Sequence, residues 1–219
     1  MIKIEKIEVF GWEAAIRGAR NPMNSWHLSD SHWTHIEDPE TLETAKFEFF
    51  VGENDLKLLK NLRNAGPDHG KFMRMINVSM DITAMQPWWA EYDTYKVGTV
   101  RNSCSKMHKI HTKVFQFDDF ETHGIAQVDY AASALMSVMN ACERLRQDFN
   151  RTGDRKYWRA LIELLPEGYK MRATVTLNYE VLRNMYHARK AHKLQEWRDF
   201  CAMVETLPYA KELIVGEGE

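Results

Sequence analysis

Apolar and polar residues alternate at every second position in two long stretches of the chain, residues 69–83 and 171–177. A period of two is typical of β-strands, because successive side chains point to opposite faces of the sheet. Two shorter stretches, residues 2–10 and 46–51, also have the composition of strands. The pattern therefore predicts a sheet built from at least four segments that lie far apart in the sequence.

Apolar residues recur every third or fourth position in other stretches, which is the spacing of amphipathic helices. Gly66 and Pro67 provide stop signals for one of these helices, and Pro87 lies near the start of another. Polar stretches rich in turn formers, residues 21–40 and 96–111, are predicted to be loops. The segments predicted to be helical are 12–20, 54–66, 86–95, 125–149, 155–165 and two closing helices that begin at Asn178.

These elements predict an α+β fold: one compact domain covering residues 1–219, with a twisted central sheet flanked by long helices. The 219 residues include 44% hydrophobic and 27% charged residues, as in ordinary soluble globular proteins. A formal net charge of −2 argues against broad binding to nucleic acid or to a membrane surface. Without a leader-like segment or a spanning apolar run, the chain is expected to be cytoplasmic. The three cysteines are far apart and suggest no disulfide framework.

The last predicted strand has one polar face, and it continues directly into a helix that ends with a cation. Arg172, Thr174, Thr176 and Asn178 share this face of the strand. Arg189 lies on the same stripe of the following helix as Asn178. Two arginines in this arrangement would bracket an anion or a polar heterocycle. The alternative is a solvent-facing strand followed by cations at a helix C-terminus, where they are favourable.

The same region carries a family signature. The run LPEGYKMRATVTLNYEVLRNMYHAR, residues 165–189, resembles the C-terminal signature of flavin-dependent thymidylate synthases. A second segment, PDHGKF, resembles the family's entry to a long strand, and its histidine is His69. The matching positions of the signature are Leu165, Pro166, Arg172, Thr176, Asn178, Leu182 and Arg189, and Gln195 also matches. Looser matches are Gln86, Asn102, Ser105 and, after a shift of one residue, His192.

The resemblance implies an enzyme that methylates deoxyuridylate, a pyrimidine nucleotide, with methylenetetrahydrofolate as carbon donor and NADPH as reductant. It also implies a homotetramer that binds FAD at subunit junctions. Arg189 would be the catalytic residue, because it would stabilise negative charge that develops on the uracil carbonyl edge. The nucleotide would be held by Arg172, Ser105 and Gln86, and the flavin by His69, Asn102, Asn178 and His192.

The sequence departs from the family pattern where Arg-His-Arg is expected, since that place reads AEYDTYKVGTVRN. Two further arginines of the pattern are replaced by Met107 and Glu180. The cations available to compensate are Lys96, Arg101, Lys106 and Arg183, of which Arg101 and Lys106 are assigned to the nucleotide. These departures motivate an alternative function, a non-catalytic nucleotide-binding or interaction protein on the same fold.

Other groups of residues are weaker candidates for functional sites. Histidines that would suit a metal are His27, His32 and His35 with Asp30, and the pair His108 and His111, but neither group has a tight ligand spacing, and no metal site is predicted. Cys104 would act as a nucleophile only with a lowered pKa, and the plainer interpretation is an ordinary semi-buried thiol. The basic run HARKAHK is weak evidence for nucleic-acid binding in a net-acidic chain.

Overall fold

The computed structural model describes residues 1–36 and 46–216 of the chain. Within this part, the strands are β1 (Lys3–Phe10), β2 (His32–Ile36), β3 (Lys46–Phe50), β4 (Asn77–Met85), β5 (Thr99–Ser103) and β6 (Lys170–Asn178). Four of them form a sheet in the order β1-β4-β6-β5, and β2 pairs with β3 in a separate two-stranded sheet. All of these pairings are antiparallel.

The helices of the same residues are α1 (Trp12–Arg20), α2 (Glu53–Asn64), α3 (Gln86–Tyr92), α4 (Lys106–Lys109), α5 (Asp129–Thr152), α6 (Arg155–Leu164), α7 (Tyr179–Arg189) and α8 (Gln195–Glu205). Short 3-10 segments occur at Asn21–Met23, Trp26–Leu28, Gly70–Met75, Phe117–Asp119 and Ile125–Gln127, and a π-helical turn at Lys211–Val215. No helix in residues 1–36 and 46–216 is both long and apolar enough to cross a bilayer. The fold is therefore a mixture of helix and sheet, as the sequence predicts.

The central strands β4 and β6 have one apolar and one polar face. Met80 lies opposite Val175, and Ser79 lies opposite Thr176, so each face continues from one strand to the next. Side chains from α1, α3, α7 and α8 join the apolar face in one buried cluster. The polar side chains of the other face, such as Thr174, remain partly or fully exposed, except for Asn178 at the end of β6, which is buried. Burial of one face only explains the alternation in the sequence.

The long helix α5 and the helix α6 pack against each other, away from the centre of the sheet. Cys142 of α5 and Leu161 of α6 are completely buried in a small cluster of their own. Tyr169, which directly precedes β6, packs against this cluster and against the main one. The α5–α6 pair is thus tied to the sheet through the residues that lead into β6.

Three predicted elements differ from the structure. The predicted strand at 69–83 is wrong in its first half, because Gly70–Met75 is a 3-10 helix and β4 begins only at Asn77. The neighbours Phe72 and Met73 are both buried, and a strand with one buried face cannot bury two consecutive side chains on it.

The predicted loop at 96–111 contains β5 and α4. The predicted loop at 21–40 contains two 3-10 turns and β2, while its residues 37–40 lie outside the described part of the chain. The expectation of a single domain stays a prediction.

Candidate functional site

Arg189, at the end of α7, is held from three sides. Its Nη1 donates to Glu91 Oε2 at 2.6 Å, and its Nε donates to the Tyr95 hydroxyl at 3.1 Å. The guanidinium carbon lies 4.9 Å from the centre of the Trp197 ring, within the range of a cation–π contact. The side chain is 19% exposed. These contacts give a half-buried cation with a fixed direction, because a guanidinium bound at two nitrogens cannot turn freely.

Glu91 also contacts His192, so one carboxylate joins the two predicted site residues. His192 Nε2 lies 3.2 Å from Glu91 Oε2, and His192 Nδ1 accepts a hydrogen bond from the Leu194 backbone N–H. An accepting Nδ1 requires the proton of a neutral imidazole to be on Nε2, where it donates to Glu91. The structure therefore brings Arg189 and His192 together through a residue that the sequence analysis did not assign to the site.

An aromatic layer lies beneath this group. Trp88 stacks on Trp197 with ring centres 4.7 Å apart, and it also stacks on Tyr92 at 5.3 Å. All three rings are at most 1% exposed. Burial raises the pKa of the Tyr92 hydroxyl far above its ordinary value, so this group stays protonated. The buried rings therefore shield one side of the guanidinium from solvent.

A second group of cations lies on the other side of α3. Arg101 of β5 lies over the Trp89 ring at 4.0 Å and donates to Asp93 at 2.6 Å. Burial lowers the pKa of the Lys106 ammonium, and repulsion from Arg101 adds to that effect. Lys106 forms no ion pair within residues 1–36 and 46–216. Two cations that repel each other, of which one is unpaired, form a site that an anion would stabilise.

Arg172 and Asn102 lie on the polar face of the sheet. Arg172 Nη2 donates to Asp81 Oδ2 at 2.6 Å, and the Thr174 hydroxyl bonds the other oxygen of Asp81. Asn102 lies opposite Thr174 in the strand register, so it is a neighbour of this group. Arg172 is 47% exposed, and the sheet separates it from Arg189, which contacts the buried cluster on the helix-covered side. One chain does not bring the two arginines to the same place.

Ser105 and Cys104 follow β5 directly. The Ser105 hydroxyl accepts from the His108 backbone N–H at 3.2 Å and begins the short helix α4. The Cys104 backbone N–H donates to the Arg172 carbonyl, which places this exposed cysteine at the edge of the polar face. Both residues are therefore close in the fold to Arg172 and to Lys106.

Asn178 has a structural role at the start of α7. Its Oδ1 accepts from the Val181 backbone N–H at 3.0 Å and so caps the helix. The amide nitrogen faces Gly98, where a Cβ atom would lie only 2.8 Å from it. Gly98 also has a φ of +79°, a backbone conformation that favours glycine. No acceptor for the amide N–H groups of Asn178 is found within residues 1–36 and 46–216.

His69 is exposed and precedes the 3-10 helix Gly70–Met75, which packs against α7. Glu180, which replaces an arginine of the family pattern, forms two hydrogen bonds with Arg74, at 2.5 and 3.1 Å. Its charge is thereby balanced by a residue 106 positions earlier in the chain. Gln86 opens α3, and its side-chain oxygen is buried without a hydrogen-bond partner among the described residues.

The sequence analysis missed the residues that hold the cations: Glu91, Tyr95, Trp197, Asp93 and Asp81. Two of them stand in the acidic stretch AEYD, where the family pattern has cations. An acidic residue on a predicted helix beside predicted site cations is the signal that would have suggested an ion pair. The pairing itself depends on a separation of 98 residues between Glu91 and Arg189, which spacing alone does not reveal.

Neither histidine group forms a metal centre in the described part of the chain. Among those residues, no set of three or more His, Cys, Asp and Glu side chains is placed to hold a metal ion. The Cys142 and Cys201 thiols are buried, and burial raises their pKa values to about 11 and about 12. Cys104 is the exposed cysteine.

No protein-family model matches the chain, and no curated protein sequence matches it. Its fold is similar to crystal structures of the flavin-dependent thymidylate synthase ThyX from Helicobacter pylori, solved with FAD and dUMP. For one structure the TM-score is 0.65 at 16% identity, over 96% of this chain and 98% of the other. For a second the TM-score is 0.67 at 15% identity, over 98% and 97%. The chain therefore has a ThyX-like fold over nearly its whole length.

Proposed function

We propose that this protein is a flavin-dependent enzyme that modifies a pyrimidine nucleotide, by thymidylate synthase-like transfer of a one-carbon unit to C5 of deoxyuridylate. The observation that carries the proposal is the half-buried Arg189 guanidinium, oriented by Glu91 and Tyr95 over Trp197. It stands where the family signature has its pyrimidine-contacting arginine. The ThyX-like fold over nearly the whole chain supports the proposal.

The contacts of Arg189 define what it can offer to a substrate. Glu91 accepts from Nη1 and Tyr95 accepts from Nε, which leaves Nη2 to donate to a carbonyl oxygen of the uracil ring. A donor that is already oriented stabilises negative charge on that oxygen without rearranging during the reaction. The aromatic layer beneath it excludes water and thereby strengthens the interaction.

The nucleotide phosphate fits the cations around Lys106. The burial of Lys106 and its repulsion by Arg101 would both be offset by a bound phosphate, which would restore the ordinary pKa of the ammonium. Ser105 lies next in the chain and carries a hydroxyl donor. We assign Arg101, Lys106 and Ser105 to the phosphate, together with Arg172 and Gln86 to the nucleotide.

The residues present also fit a flavin. Asn178 keeps amide N–H donors free after capping α7, and a flavin ring has carbonyl oxygens to accept them. We assign Asn178, His192, His69 and Asn102 to FAD, which would supply the reducing electrons when bound. Methylenetetrahydrofolate and NADPH are the proposed carbon donor and reductant.

The positions of the two arginines support sites that are shared between chains, and the homotetramer that the resemblance implies would provide such sites. Arg172 lies on the open polar face of the sheet, and Arg189 lies on the helix-covered side. A single nucleotide reaches both only if the polar face of one chain meets the Arg189 region of another. Sites at subunit junctions meet that requirement.

The test combines a binding and a turnover measurement. FAD and FMN are titrated into the purified protein and followed by absorption, and deoxyuridylate labelled with tritium at C5 is assayed for tritium release in the presence of methylenetetrahydrofolate and NADPH. Arg189→Lys keeps the positive charge but loses the planar guanidinium, whose N–H donors have fixed directions. Turnover is therefore expected to fall about 100-fold. Arg159→Lys, in an exposed ion pair with Glu163 on α6, is the matched control and should be fully active.

A non-catalytic nucleotide-binding protein on the same fold is the second candidate. It is favoured by the acidic residues Glu91 and Asp93, which pair with Arg189 and Arg101 where the family pattern has cations. Binding of deoxyuridylate without flavin binding and without tritium release would select this candidate. If neither flavin nor deoxyuridylate binds, both assignments are wrong.

A further inference from the structure

A cavity lies between the central sheet and the two-stranded sheet. Its volume is about 1040 Å³. Four consecutive residues of β1, Ile7 to Phe10, line one side, and four of β3, Phe47 to Phe50, line the other. The start of α1 and the segment Thr206 to Tyr209 complete the lining. Pockets for small organic ligands have volumes of about 300–1000 Å³, so this cavity is large enough for one.

This cavity is separate from the proposed nucleotide site. None of the residues assigned to nucleotide or flavin lines it. Its charged side chains are mostly carboxylates, which would repel a phosphate. Whatever it binds is therefore a different ligand, and the inference is independent of the proposed reaction.

The walls of the cavity are aromatic and accessible. Phe10, Trp33 and Phe47 line it and are 48%, 55% and 64% exposed, values that are high for such large apolar side chains. Trp12 and Tyr209 lie deeper, with ring centres 5.2 Å apart in an edge-on arrangement. The faces of aromatic rings carry partial negative charge and attract cations.

Carboxylates outnumber cations along the same walls. Among the lining residues that the structure describes, the carboxylates are Glu8, Glu13 and Glu48, and the one cation is Arg17. Glu8 and Glu13 are exposed and form no ion pair within residues 1–36 and 46–216. Aromatic faces combined with an excess of carboxylates suit a ligand with a positive charge on an apolar body.

We infer that this cavity binds a small organic cation, of the alkylammonium class. The ammonium group would lie among the aromatic faces near Glu8 and Glu13, and the apolar part would cover Trp33 and Phe10. An anionic ligand is disfavoured by the carboxylates, and a neutral one gains nothing from them.

The test compares two probes of the same shape. Choline and 3,3-dimethylbutan-1-ol differ by a positive nitrogen in place of a carbon, and their binding is measured by isothermal titration calorimetry. We expect choline to bind about tenfold more tightly, as a cation–π contact of ordinary strength provides. Equal affinities would overturn the inference and indicate a site for neutral apolar groups.

Matched variants locate the site. Glu13→Gln and Trp33→Leu are expected to weaken choline binding several-fold, because each removes one of the two features that attract the cation. The controls are Glu53→Gln, also a first-turn glutamate, and Trp26→Leu, also an exposed tryptophan, and both lie outside the cavity. Equal losses in test and control variants would overturn the inference in favour of unspecific attraction. If choline does not bind and acrylamide does not quench the fluorescence of Trp33, the inference is overturned. That result would indicate that a second copy of the chain covers the cavity.

Discussion

Asp55 of α2 provides a sharp test of what holds the N-terminal part of the fold together. Its carboxylate is fully buried and accepts five hydrogen bonds. One comes from the buried Arg20 guanidinium, with Nε at 2.5 Å, and the others come from the segment Ser29–Ser31. Ser31 in turn accepts from the Gly52 backbone N–H at 3.0 Å. The carboxylate thus fixes the chain that leads into β2.

Asp55→Asn keeps the shape but removes the charge and one acceptor oxygen. If the amide oxygen faces Ser29–Ser31, the amide nitrogen faces Arg20, so two donors meet and a buried cation loses its partner. Breaking a buried ion pair from one side destabilises proteins by about 3–5 kcal/mol, and we expect a loss in this range at pH 7. Asp148→Asn is the control, because its pair with Arg151 is exposed, and its unfolding midpoint should not shift measurably.

The loss should also depend on pH. Burial alone would raise the pKa of Asp55, but hydrogen bonds from Ser29, Ser31 and Arg20 together outweigh it and lower the pKa below its ordinary value. A carboxyl whose pKa is lower in the folded state stabilises fully above its unfolded pKa of about 4 and loses this contribution as the pH falls through the folded value. The difference in unfolding free energy between wild type and Asp55→Asn should therefore shrink as the pH is lowered below about 4.

Urea unfolding followed by tryptophan fluorescence measures both effects. A loss below about 1 kcal/mol at pH 7 would contradict the reasoning, because that is the value of an ordinary neutral hydrogen bond. A difference that stays constant down to acid pH would show that the charge of Asp55 contributes nothing.

Three further predictions concern the helix start and the cysteines. Asn178→Ala should lower the unfolding free energy by about 1 kcal/mol in the same urea assay, because α7 loses its side-chain cap. Gly98→Ala should lower the unfolding free energy by about 1–3 kcal/mol, because the residue has a φ of +79° and the added Cβ would press on the Asn178 amide. An unchanged unfolding midpoint would show that the loop shifts freely. Ellman's reagent should modify the exposed Cys104 rapidly in the folded protein and modify Cys142 and Cys201 only after unfolding. The reason is that burial raises the pKa values of these two thiols to about 11 and about 12. Rapid modification of the folded Cys104→Ser variant would refute this prediction.

Elements defined by local pattern were predictable from the sequence. β6 and β4, the second half of the strand predicted at 69–83, alternate between a buried and a polar face, and the structure confirms both faces. α1 covers the predicted residues 12–20, because its apolar spacing is regular and Gly11 precedes it. Such elements are encoded by a few neighbouring residues, so no distant contact is needed to recognise them.

Elements that depend on distant partners were not predictable. β5 has no clear alternation, and it is a strand because its backbone pairs with the free edge of β6, about 70 residues later in the chain. Arg101 lies on the buried side of β5, where its guanidinium contacts the face of the Trp89 ring. From the sequence alone, a charged residue at that position is expected to point into solvent.

The candidate site shows the same division. The sequence alone marked Arg172 and Arg189 as candidate site residues, through the family-like motif and their places on a predicted strand and helix, and their roles stay predictions. Only the tertiary structure decided that they lie on opposite sides of the sheet, and that Glu91 and Asp81 hold them. The physical reason is that the side chains that share one face of a strand or helix follow from the repeat of that element alone. An ion pair, in contrast, forms only where packing brings charged groups of two distant elements within about 4 Å.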